Sequence, residues 1–360
     1  MRQWHSAYKK LYIWLFAAVA ATALCTLLRP VRPVMNALSR YVTTPLKTAL
    51  ARVCALTSVS LAEVFILSSV AAAIFALAQL ARRLVRERHR WRTVYRFFLS
   101  ALCVAVTVAA AMNLLWGVNY HTDSFRQRAG ITARQGTAAE LAALTAYFAA
   151  GVNQTADEVP RDENGVFAAD RQDILDRAAA VYAGGWDAFP ALRMEPLRPK
   201  AFLCSRALTA MDFTGFYFPF TGEANLNMDS PACFLPATAI HEMAHQCQIA
   251  SEQECNFVAI AVSIQSDDPL YRYSGWLMGY LHTANALYKA DKEAWRQLRN
   301  TLNAGALADI AYNNAYWAAA HTAFTDASQT VYDSFIKSSG DPNGVQSYGM
   351  VVDLLLGYYG

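Results

Sequence analysis

The sequence predicts a mainly α protein with a minor β component (α+β), in which three N-terminal transmembrane helices precede a mostly helical domain with a small β-sheet. Three observations predict it. Apolar runs near the length of a membrane span lie within the first 120 residues. Residues 121–360 return to a mixed composition with helical spacing and can bury a core of their own. The stretch 201–228 is instead rich in aromatic, threonine and glycine residues, which is typical of short strands.

Three apolar runs, at about 11–28, 61–80 and 97–116, form the predicted membrane anchor. Each approaches the roughly 20 residues that a helix needs to cross about 30 Å of hydrocarbon. The first run could instead be a cleaved signal peptide, since basic residues precede it. Arg29 and Pro30 stand where small residues would mark a cleavage site, so we expect an uncleaved anchor. The lipid bilayer is therefore an expected partner.

The charge of the chain is divided between its two parts. Residues 1–120 contain 15 Lys and Arg against 2 Asp and Glu, a net charge of +13, whereas residues 121–360 contain 16 against 26, a net charge of −10. Because the basic residues flank apolar runs rather than forming a folded patch, nucleic acid is not expected as a partner. We predict a membrane-anchor domain at 1–120 and a second domain at 121–360.

The basic residues also predict the orientation. The segment from Arg82 to Arg96 contains seven arginines, which favours the cytoplasm for it. The N-terminus contains Arg2, Lys9 and Lys10 ahead of the first run, which favours the same side. The loop at 29–52 then lies outside although it holds five basic residues, and ten against five still favours this orientation. We therefore expect a multi-pass protein of the cell membrane with a cytoplasmic N-terminus and an extracytoplasmic second domain. The loop could be a helix on the lipid surface or a solvated connector.

The second domain is expected to contain helices interrupted by one strand region. Thr137 and Glu140 match a capping box ahead of an Ala- and Leu-rich helix that ends near Gly151. A second helix is expected at 170–183, and two or three short strands or extended segments are expected at 201–228. Later helices are expected at 268–290, 292–302, 306–332 and 345–359.

The segment HEMAHQCQIASEQECN, residues 241–256, predicts a metal site. His241 and His245 are spaced i, i+4, so on a helix both imidazoles lie on one face and can share one ion. Glu242 is rotated by about 100° from His241 and can lie beside the ion as a general base for water without binding the metal. The apolar flanks favour a buried helix over a coincidental pair of surface histidines. Imidazole and carboxylate donors favour Zn²⁺.

A catalytic zinc site needs a third protein ligand, and Glu252 is the preferred candidate. On one continuous helix Glu252 would lie about 10 Å further along the axis than His245, so the chain must bend back. Ser251 and Glu254 match a capping box, so a second helix can begin at Ser251 and leave Glu252 facing the ion. Asn256 lies on the same face as Glu252 and could hydrogen-bond a ligand histidine.

Two alternative assignments of the ligands stay open. Glu254 could replace Glu252 as the third ligand. Cys247 and Cys255 could bind zinc in a structural site, although small buried cysteines are the more common case.

Several segments together resemble known families. HEMAH followed by EQECN resembles the gluzincin pattern, and FYFPFTGEANLNMD, YRYSGW and GVQSYGMVVDLLLGYY are similar to segments of the bacterial membrane family named domain of unknown function 3810. The resemblance covers most of the chain and is densest at about 213–276. It implies a membrane-anchored, zincin-like zinc metallopeptidase with His241, His245 and Glu252 as zinc ligands and Glu242 as the base.

The chain departs from the family pattern at two positions. Gln248 and Cys255 stand where the family usually has glycine and alanine. A non-glycine residue in a left-handed turn costs about 1 kcal/mol. The bend after His245 is therefore expected to differ in detail, whereas the ligands are retained.

The segment GEANLNM, which precedes the motif, resembles the edge strand that pairs with extended peptide substrates in such enzymes. Asn225 in its middle is therefore a candidate for substrate binding by strand addition, and a structural hairpin is the alternative. A donor for the oxyanion is not assigned. The candidates are Arg272, Tyr273, His282, His321 and Tyr348, of which the two tyrosines are preferred by resemblance.

Three functions are consistent with these features. A membrane-anchored zinc endopeptidase that hydrolyses a peptide or protein substrate is preferred. A catalytically silent relative could keep a metal-binding domain for sensing or interaction, but a silent protein need not retain Glu242. A transporter or channel is disfavoured, because three helices with Glu63 as their one acidic residue make a poor pathway. The oligomeric state is not predicted.

Overall fold

The computed structural model describes residues 2–341 and 350–360. It confirms the predicted fold class, because the chain is mainly helical with one three-stranded sheet and three long apolar helices near the N-terminus. The chain divides into two compact units. We name each unit after the feature that the sequence predicts in it. The anchor unit comprises Met1–Ala49, Leu61–Thr122 and Pro219–Thr221, and the metal unit comprises Leu50–Ser60, Asp123–Phe218 and Gly222–Gly360.

The anchor unit contains the three long helices, α1 (Arg2–Leu28), α4 (Leu61–Arg86) and α5 (Arg90–Leu115). Each is long and apolar enough to cross a membrane, and little of each apolar window is buried inside the protein. The apolar surface of such helices is stable when lipid rather than water surrounds it. These three helices fit a membrane protein.

The loop predicted at 29–52 is largely helical. It contains α2 (Arg32–Leu38), a π-helical turn at Ser39–Thr43, and α3 (Thr44–Cys54). Its place at a lipid surface stays a prediction. The end of α3 belongs to the metal unit, so the structural boundary differs from the predicted boundary at residue 120 for the segment Leu50–Ser60.

The metal unit packs its helices around one hydrophobic core. Its largest buried side chains include Phe148, Tyr182, Phe257, Tyr271 and Tyr273. Helices α10 (Leu235–Gln246) and α11 (Glu252–Ile264) carry the predicted metal motif. Both are buried along most of their length, because apolar residues surround the motif. The helices are α6 (Phe125–Ala129), α7 (Ala138–Thr155), α8 (Arg171–Gly184), α9 (Ser205–Ala210), α10 (Leu235–Gln246), α11 (Glu252–Ile264), α12 (Pro269–Ala290), α13 (Lys292–Arg299), α14 (Ala304–Ala320), α15 (Ala323–Ser339) and α16 (Val351–Tyr359).

Two helix predictions in this unit need correction. The helix expected at 306–332 is two helices, α14 and α15, because the chain is interrupted at His321–Thr322 and Thr322 forms a capping box with Thr325. Helix α7 begins at the predicted capping box but continues beyond Gly151 to Thr155. Of the helix expected at 345–359, residues 350–359 lie within the described part of the chain, and α16 occupies most of them.

The small sheet contains β1 (Lys200–Phe202), β2 (Gly215–Phe218) and β3 (Glu223–Asn227), in the spatial order β1–β3–β2. Strand β3 is central, since β1 pairs with it in parallel and β2 pairs with it antiparallel. All five residues of β3 are buried. The prediction of GEANLNM as an edge strand is therefore wrong, because β3 is hydrogen-bonded to β1 along one edge and to β2 along the other.

A buried ion pair attaches the segment Leu50–Ser60 to this sheet. Lys200 Nζ lies 2.5 Å from Glu223 Oε1 and donates to the carbonyls of Cys54 at 2.7 Å and Val59 at 2.8 Å. Ser60 Oγ donates to Asn225 Oδ1 at 2.6 Å. Because a buried charge needs partners for all its hydrogen-bonding groups, these contacts satisfy Lys200 and hold the segment on the metal unit.

Candidate metal centre

The candidate metal centre is built by α10 and α11, which meet at a tight bend. Helix α10 presents His241 and His245 one turn apart, and their rings lie 4.9 Å apart between centroids. Helix α11 begins at Glu252, so its first turn faces the two rings. Glu252 Oε2 lies 3.1 Å from His241 Nε2, and Glu252 Oε1 lies 3.7 Å from His245 Nε2. The structure therefore brings together the three side chains that the sequence predicted as ligands.

Hydrogen bonds on the far side of each ring orient the two imidazoles. His241 Nδ1 lies 2.8 Å from Asn256 Oδ1, and His245 Nδ1 lies 2.7 Å from the Ile249 carbonyl. Both partners are acceptors, so each Nδ1 carries the proton and donates. A neutral imidazole then has its lone pair on Nε2, which is the nitrogen that faces Glu252. Asn256 has the orienting contact that the sequence predicted for it.

The centre consequently places acceptors against acceptors. Nε2 of His241 and Nε2 of His245 both face the Glu252 carboxylate, and Tyr332 OH donates to Glu252 Oε1 at 2.7 Å. Buried acceptors that face one another are unfavourable unless a proton or a cation lies between them. Two imidazole nitrogens and a carboxylate are also a donor set that suits Zn²⁺. The residues present fit a divalent cation.

The charge of Glu252 is held in place by its neighbours. Burial raises the pKa of Glu252, but when His245 and His241 are protonated, their positive charges and hydrogen bonds hold that pKa well below its usual range. A cation bound beside the neutral rings would take the place of these protons. The carboxylate therefore stays ionised, which is the form that binds a metal.

Glu242 differs from Glu252 because no described residue satisfies one of its oxygens. Its side chain is buried, and Oε2 has no hydrogen-bond partner in the described part of the chain. Burial raises the pKa of Glu242 to about 8, with the charge of His241 lowering it and the charge of Glu252 raising it. Gly215 in β2 makes room for this side chain, since a Cβ there would lie 2.9 Å from Glu242 Oε1.

Cys255 is a second donor near the two histidines. The ligand atoms of His241, His245 and Cys255 all lie within 4.8 Å of one another, so this cluster could hold a metal ion. However, Cys255 Sγ lies 3.3 Å from His245 Nδ1, the nitrogen that donates to Ile249, on the opposite edge of the ring from Glu252. Burial raises the pKa of the Cys255 thiol well above its usual value, which opposes the thiolate that a metal would need.

A family model described as "Protein of unknown function (DUF3810)" matches residues 39–356. The chain belongs to this family. The match covers nearly the whole chain, including both units, and confirms the family that the sequence resembles. No curated protein and no solved structure matches the chain. The family description assigns no activity to this DUF3810 protein or to its candidate metal centre.

The bend between α10 and α11 has the backbone conformation that the family glycine would favour. Gln248 in this DUF3810 chain has φ of +66°, in the left-handed region. The turn closes α10 with hydrogen bonds from the N–H groups of Gln248 and Ile249 to the carbonyls of His245 and Ala244. The chain therefore reverses where the pattern requires, despite the substitution of glycine by Gln248.

Glu254 neither caps α11 with Ser251 nor faces the two histidines. Ser251 is the N-terminal cap residue of α11, but its hydroxyl makes no capping hydrogen bond, so the predicted capping box is wrong. Glu254 instead accepts hydrogen bonds from the N–H groups of Phe125 at 2.8 Å and Arg126 at 3.1 Å. A carboxylate at the first N–H groups of α6 satisfies donors that the helix leaves open. This occupation of Glu254 argues against its alternative assignment as the third ligand.

The oxyanion candidates lie in different environments. The hydroxyl of Tyr273 donates to Asp309, Arg272 pairs with Glu158, and His321 pairs with Asp326. Tyr348 lies outside the described residues. His282 is half-buried beside the centre, and burial, followed by the charge of His241, lowers its pKa to about 4.

Sequence reasoning did not identify Tyr332, the hydroxyl donor that reaches the centre of this DUF3810 protein. Its hydroxyl contacts Glu252, and its ring lies edge-on to Phe213 at 5.0 Å between centroids. Tyr332 lies in α15, 80 residues beyond Glu252, and no local spacing connects the two. The predicted substrate residue Asn225 is instead fully buried in β3, where its side chain accepts from Ser60 and donates to the Glu223 carbonyl.

Proposed function

We propose that this chain is a membrane-anchored, zinc-dependent metallopeptidase, in which a metal centre outside the cytoplasm hydrolyses peptide bonds with Glu242 as general base. One observation carries the proposal. The Nε2 atoms of His241 and His245 face the buried carboxylate of Glu252, and beside them lies a buried carboxylate oxygen of Glu242 that has no partner among the described residues. A structural site would have no use for such an oxygen, whereas hydrolysis needs an acceptor for a proton of water.

The zinc ligands of this proposal are Nε2 of His241, Nε2 of His245 and the carboxylate of Glu252. Cys255 is not assigned as a ligand, because its sulfur lies at the protonated edge of His245 and its thiol is disfavoured as thiolate. A zinc ion held there would polarise a carbonyl and acidify a water molecule. Tyr332 keeps Glu252 oriented by its hydrogen bond to Oε1, and Asn256 does the same for His241.

Glu242 would take a proton of the attacking water on Oε2 and return it to the leaving amine. A general base works best when its pKa lies near the working pH, and the pKa of Glu242 in the cation-free centre is about 8. A cation nearby would lower that pKa, as any positive charge does for a carboxyl group. The protonation states of Glu242 would then be exchangeable at neutral pH.

The substrate would approach from the β2 side of the centre. Strand β2 is an outer strand of the sheet, and a Cβ added at its residue Gly215 would lie only 2.9 Å from Glu242 Oε1. An extended peptide that follows β2 near Gly215 would therefore bring a carbonyl close to Glu242. This assignment replaces β3, whose ladders are both occupied.

The proposal is tested with the full chain in detergent, loaded with zinc and compared with a sample stripped by EDTA. We expect about one bound zinc per chain by elemental analysis, and cleavage of a peptide library that depends on that zinc. Glu242→Gln should keep the zinc and lower the cleavage rate by about 10²–10⁴-fold, because it removes the proton acceptor without removing a ligand. Glu293→Gln, at an exposed site on α13, is the matched control and should leave both unchanged.

Three other outcomes contradict the proposal in different ways. A chain that binds no metal lacks the centre altogether. Cleavage that persists unchanged in Glu242→Gln would mean that a contaminant or another residue performs the reaction. Zinc bound by both forms without any cleavage would favour the alternative function, a metal-binding sensory or interaction domain.

A further inference from the structure

A cavity of about 240 Å³ lies next to the candidate metal centre. Thr238, on its wall, precedes His241 by three residues in α10 and therefore lies on the same face of the helix, one turn earlier. Thr214, also on its wall, is the residue before Gly215, where an added Cβ would lie 2.9 Å from Glu242 Oε1. The cavity thus adjoins both the ligand helix and the proposed base.

The cavity is lined by apolar side chains together with amide, hydroxyl and imidazole groups. Phe234, Met278 and Trp317 contribute the larger apolar surfaces, and Asn285 and Asn313 contribute amides. Met278, His282 and Asn285 recur at helical spacing along one stripe of α12, so one helix forms much of the wall.

No aspartate, glutamate, lysine or arginine is among the described residues that line the cavity. A charged group that entered it would lose its hydration without gaining an ion-pair partner, which is a large cost. Amides and hydroxyls can still bond to a polar, uncharged group. The lining chemistry therefore favours neutral occupants.

The size of the cavity also limits what it can hold. Pockets that enclose a whole drug-sized ligand measure roughly 300–1,000 Å³, so this cavity is smaller than that class. One large side chain is the occupant that its volume and its position beside the centre favour.

We infer that this cavity is the specificity pocket of the proposed peptidase and receives one uncharged, large apolar or aromatic side chain of the substrate, next to the bond that is cleaved. This inference rests on the proposed function, since it is the Zn²⁺-dependent cleavage that the pocket would direct. Asn285 and Met278 are the residues that set the charge and the size of the accepted side chain.

The test uses the zinc-loaded full chain and fluorogenic peptides that differ at one position on either side of the cleaved bond. For wild type we expect kcat/KM to be about 10–100-fold higher with Leu or Phe than with Lys or Glu at one of these positions. Asn285→Asp should raise the relative kcat/KM for Lys about 10-fold, and Asn285→Lys should do the same for Glu, because each supplies the missing ion-pair partner. Met278→Trp should lower kcat/KM more for the peptide that carries Phe at this position than for the peptide that carries Ala.

Lys289→Gln is the matched control. It changes the charge of α12 by the same unit as Asn285→Asp, but Lys289 is exposed and is not part of the cavity lining. It should leave every preference unchanged. An equal change of preference in Lys289→Gln and Asn285→Asp would overturn the inference, because it would reflect the overall charge rather than the pocket.

A binding measurement separates failure of the pocket from failure of the proposed function. Peptidyl hydroxamates that carry Leu, Phe, Lys or Glu are titrated into the zinc-loaded chain by calorimetry, which requires no turnover. If the chain cleaves nothing, the proposed function fails. The order of hydroxamate affinities then shows whether the cavity prefers apolar side chains. Identical affinities for all four side chains, unaltered by Asn285→Asp, overturn the pocket alone. A chain that binds no zinc overturns both.

Discussion

Two buried carboxylate clusters in the metal unit differ in how their hydrogen bonds are completed. At the Asp309 cluster, Oδ2 accepts from Arg161 at 3.1 Å and from the Tyr273 hydroxyl, and Oδ1 accepts from the Phe167 N–H at 2.7 Å. Every acceptor faces a donor, and the charge of Asp309 is paired. At the metal centre, acceptors face acceptors, and Glu242 Oε2 has no described partner.

The difference distinguishes a cluster that stabilises the fold from one that is arranged for a ligand. A satisfied buried network makes the folded protein rigid and needs nothing from outside. An unsatisfied network costs stability and persists when something else completes it, such as a cation or a substrate. The Asp309 cluster belongs to the first class, and we assign the metal centre to the second.

The sharpest test of this comparison removes one carboxylate from each cluster in zinc-free protein. Asp309→Ala should lower the free energy of unfolding by about 3–5 kcal/mol, because it leaves the half-buried Arg161 without its counter-charge and the Phe167 N–H and Tyr273 hydroxyl without their acceptor. Glu252→Ala should change it by less than about 1 kcal/mol, because it also removes the repulsion between acceptors. Denaturant unfolding of the detergent-solubilised chain in EDTA, at a pH where histidine is neutral, measures both. Equal losses in the two variants would break the comparison.

The stability gained on adding zinc should depend on the metal centre and not on the Asp309 cluster. At a free zinc concentration about 100-fold above the dissociation constant, wild type should gain about 2.7 kcal/mol of stability, because zinc binds the folded state. Asp309→Asn, a milder change at the other cluster, should keep this gain, and Glu252→Ala should lose it. Thermal melts with and without zinc measure the gain. A gain retained by Glu252→Ala would mean that other donors, such as Cys255, hold the ion.

The orienting residues should have a smaller effect. Tyr332→Phe removes the hydroxyl that donates to Glu252, and we expect zinc affinity to fall about 10-fold, in line with the loss of other outer hydrogen bonds to metal ligands. Competition with a chromogenic chelator measures the affinity. Tyr312→Phe, on the exposed face of α14, is the control for loss of a hydroxyl. If Tyr332→Phe and Tyr312→Phe bind zinc with the same affinity, Tyr332 does not support the metal centre.

The smallest expected effect is at the bend. Gln248→Gly should stabilise the protein by about 1 kcal/mol, since Gln248 has a positive φ that glycine adopts without strain. The gain should be the same with and without zinc, because the ligands do not change. A loss of stability would show that contacts of the Gln248 side chain outweigh the strain of its backbone.

Much of this centre was predictable because helical spacing is local. His241, Glu242 and His245 follow from the periodicity of one helix, and Glu252 follows from the bend that the third ligand requires. Asn256 was predictable for the same reason, one turn after Glu252. The three apolar helices were also predictable, because length and hydropathy are read directly along the chain.

The errors arose where distant segments meet. Glu254 contacts the start of α6, 129 residues earlier, so its spacing from Ser251 was misleading. Tyr332 reaches Glu252 across 80 residues. The strand order β1–β3–β2 depends on a parallel pairing that no local pattern of GEANLNM encodes.

The contacts of Lys200 have a practical meaning for anyone who wishes to produce the metal unit without the three long apolar helices. The metal unit starts at Leu50, is interrupted after Ser60 by α4 and α5, and resumes at Asp123. A fragment cut at residue 121 would leave the ammonium group of Lys200 without two of its acceptors. A soluble version should instead keep 50–60 and join residue 60 to residue 123 through a designed linker, so that the helical hairpin is excised as an insertion.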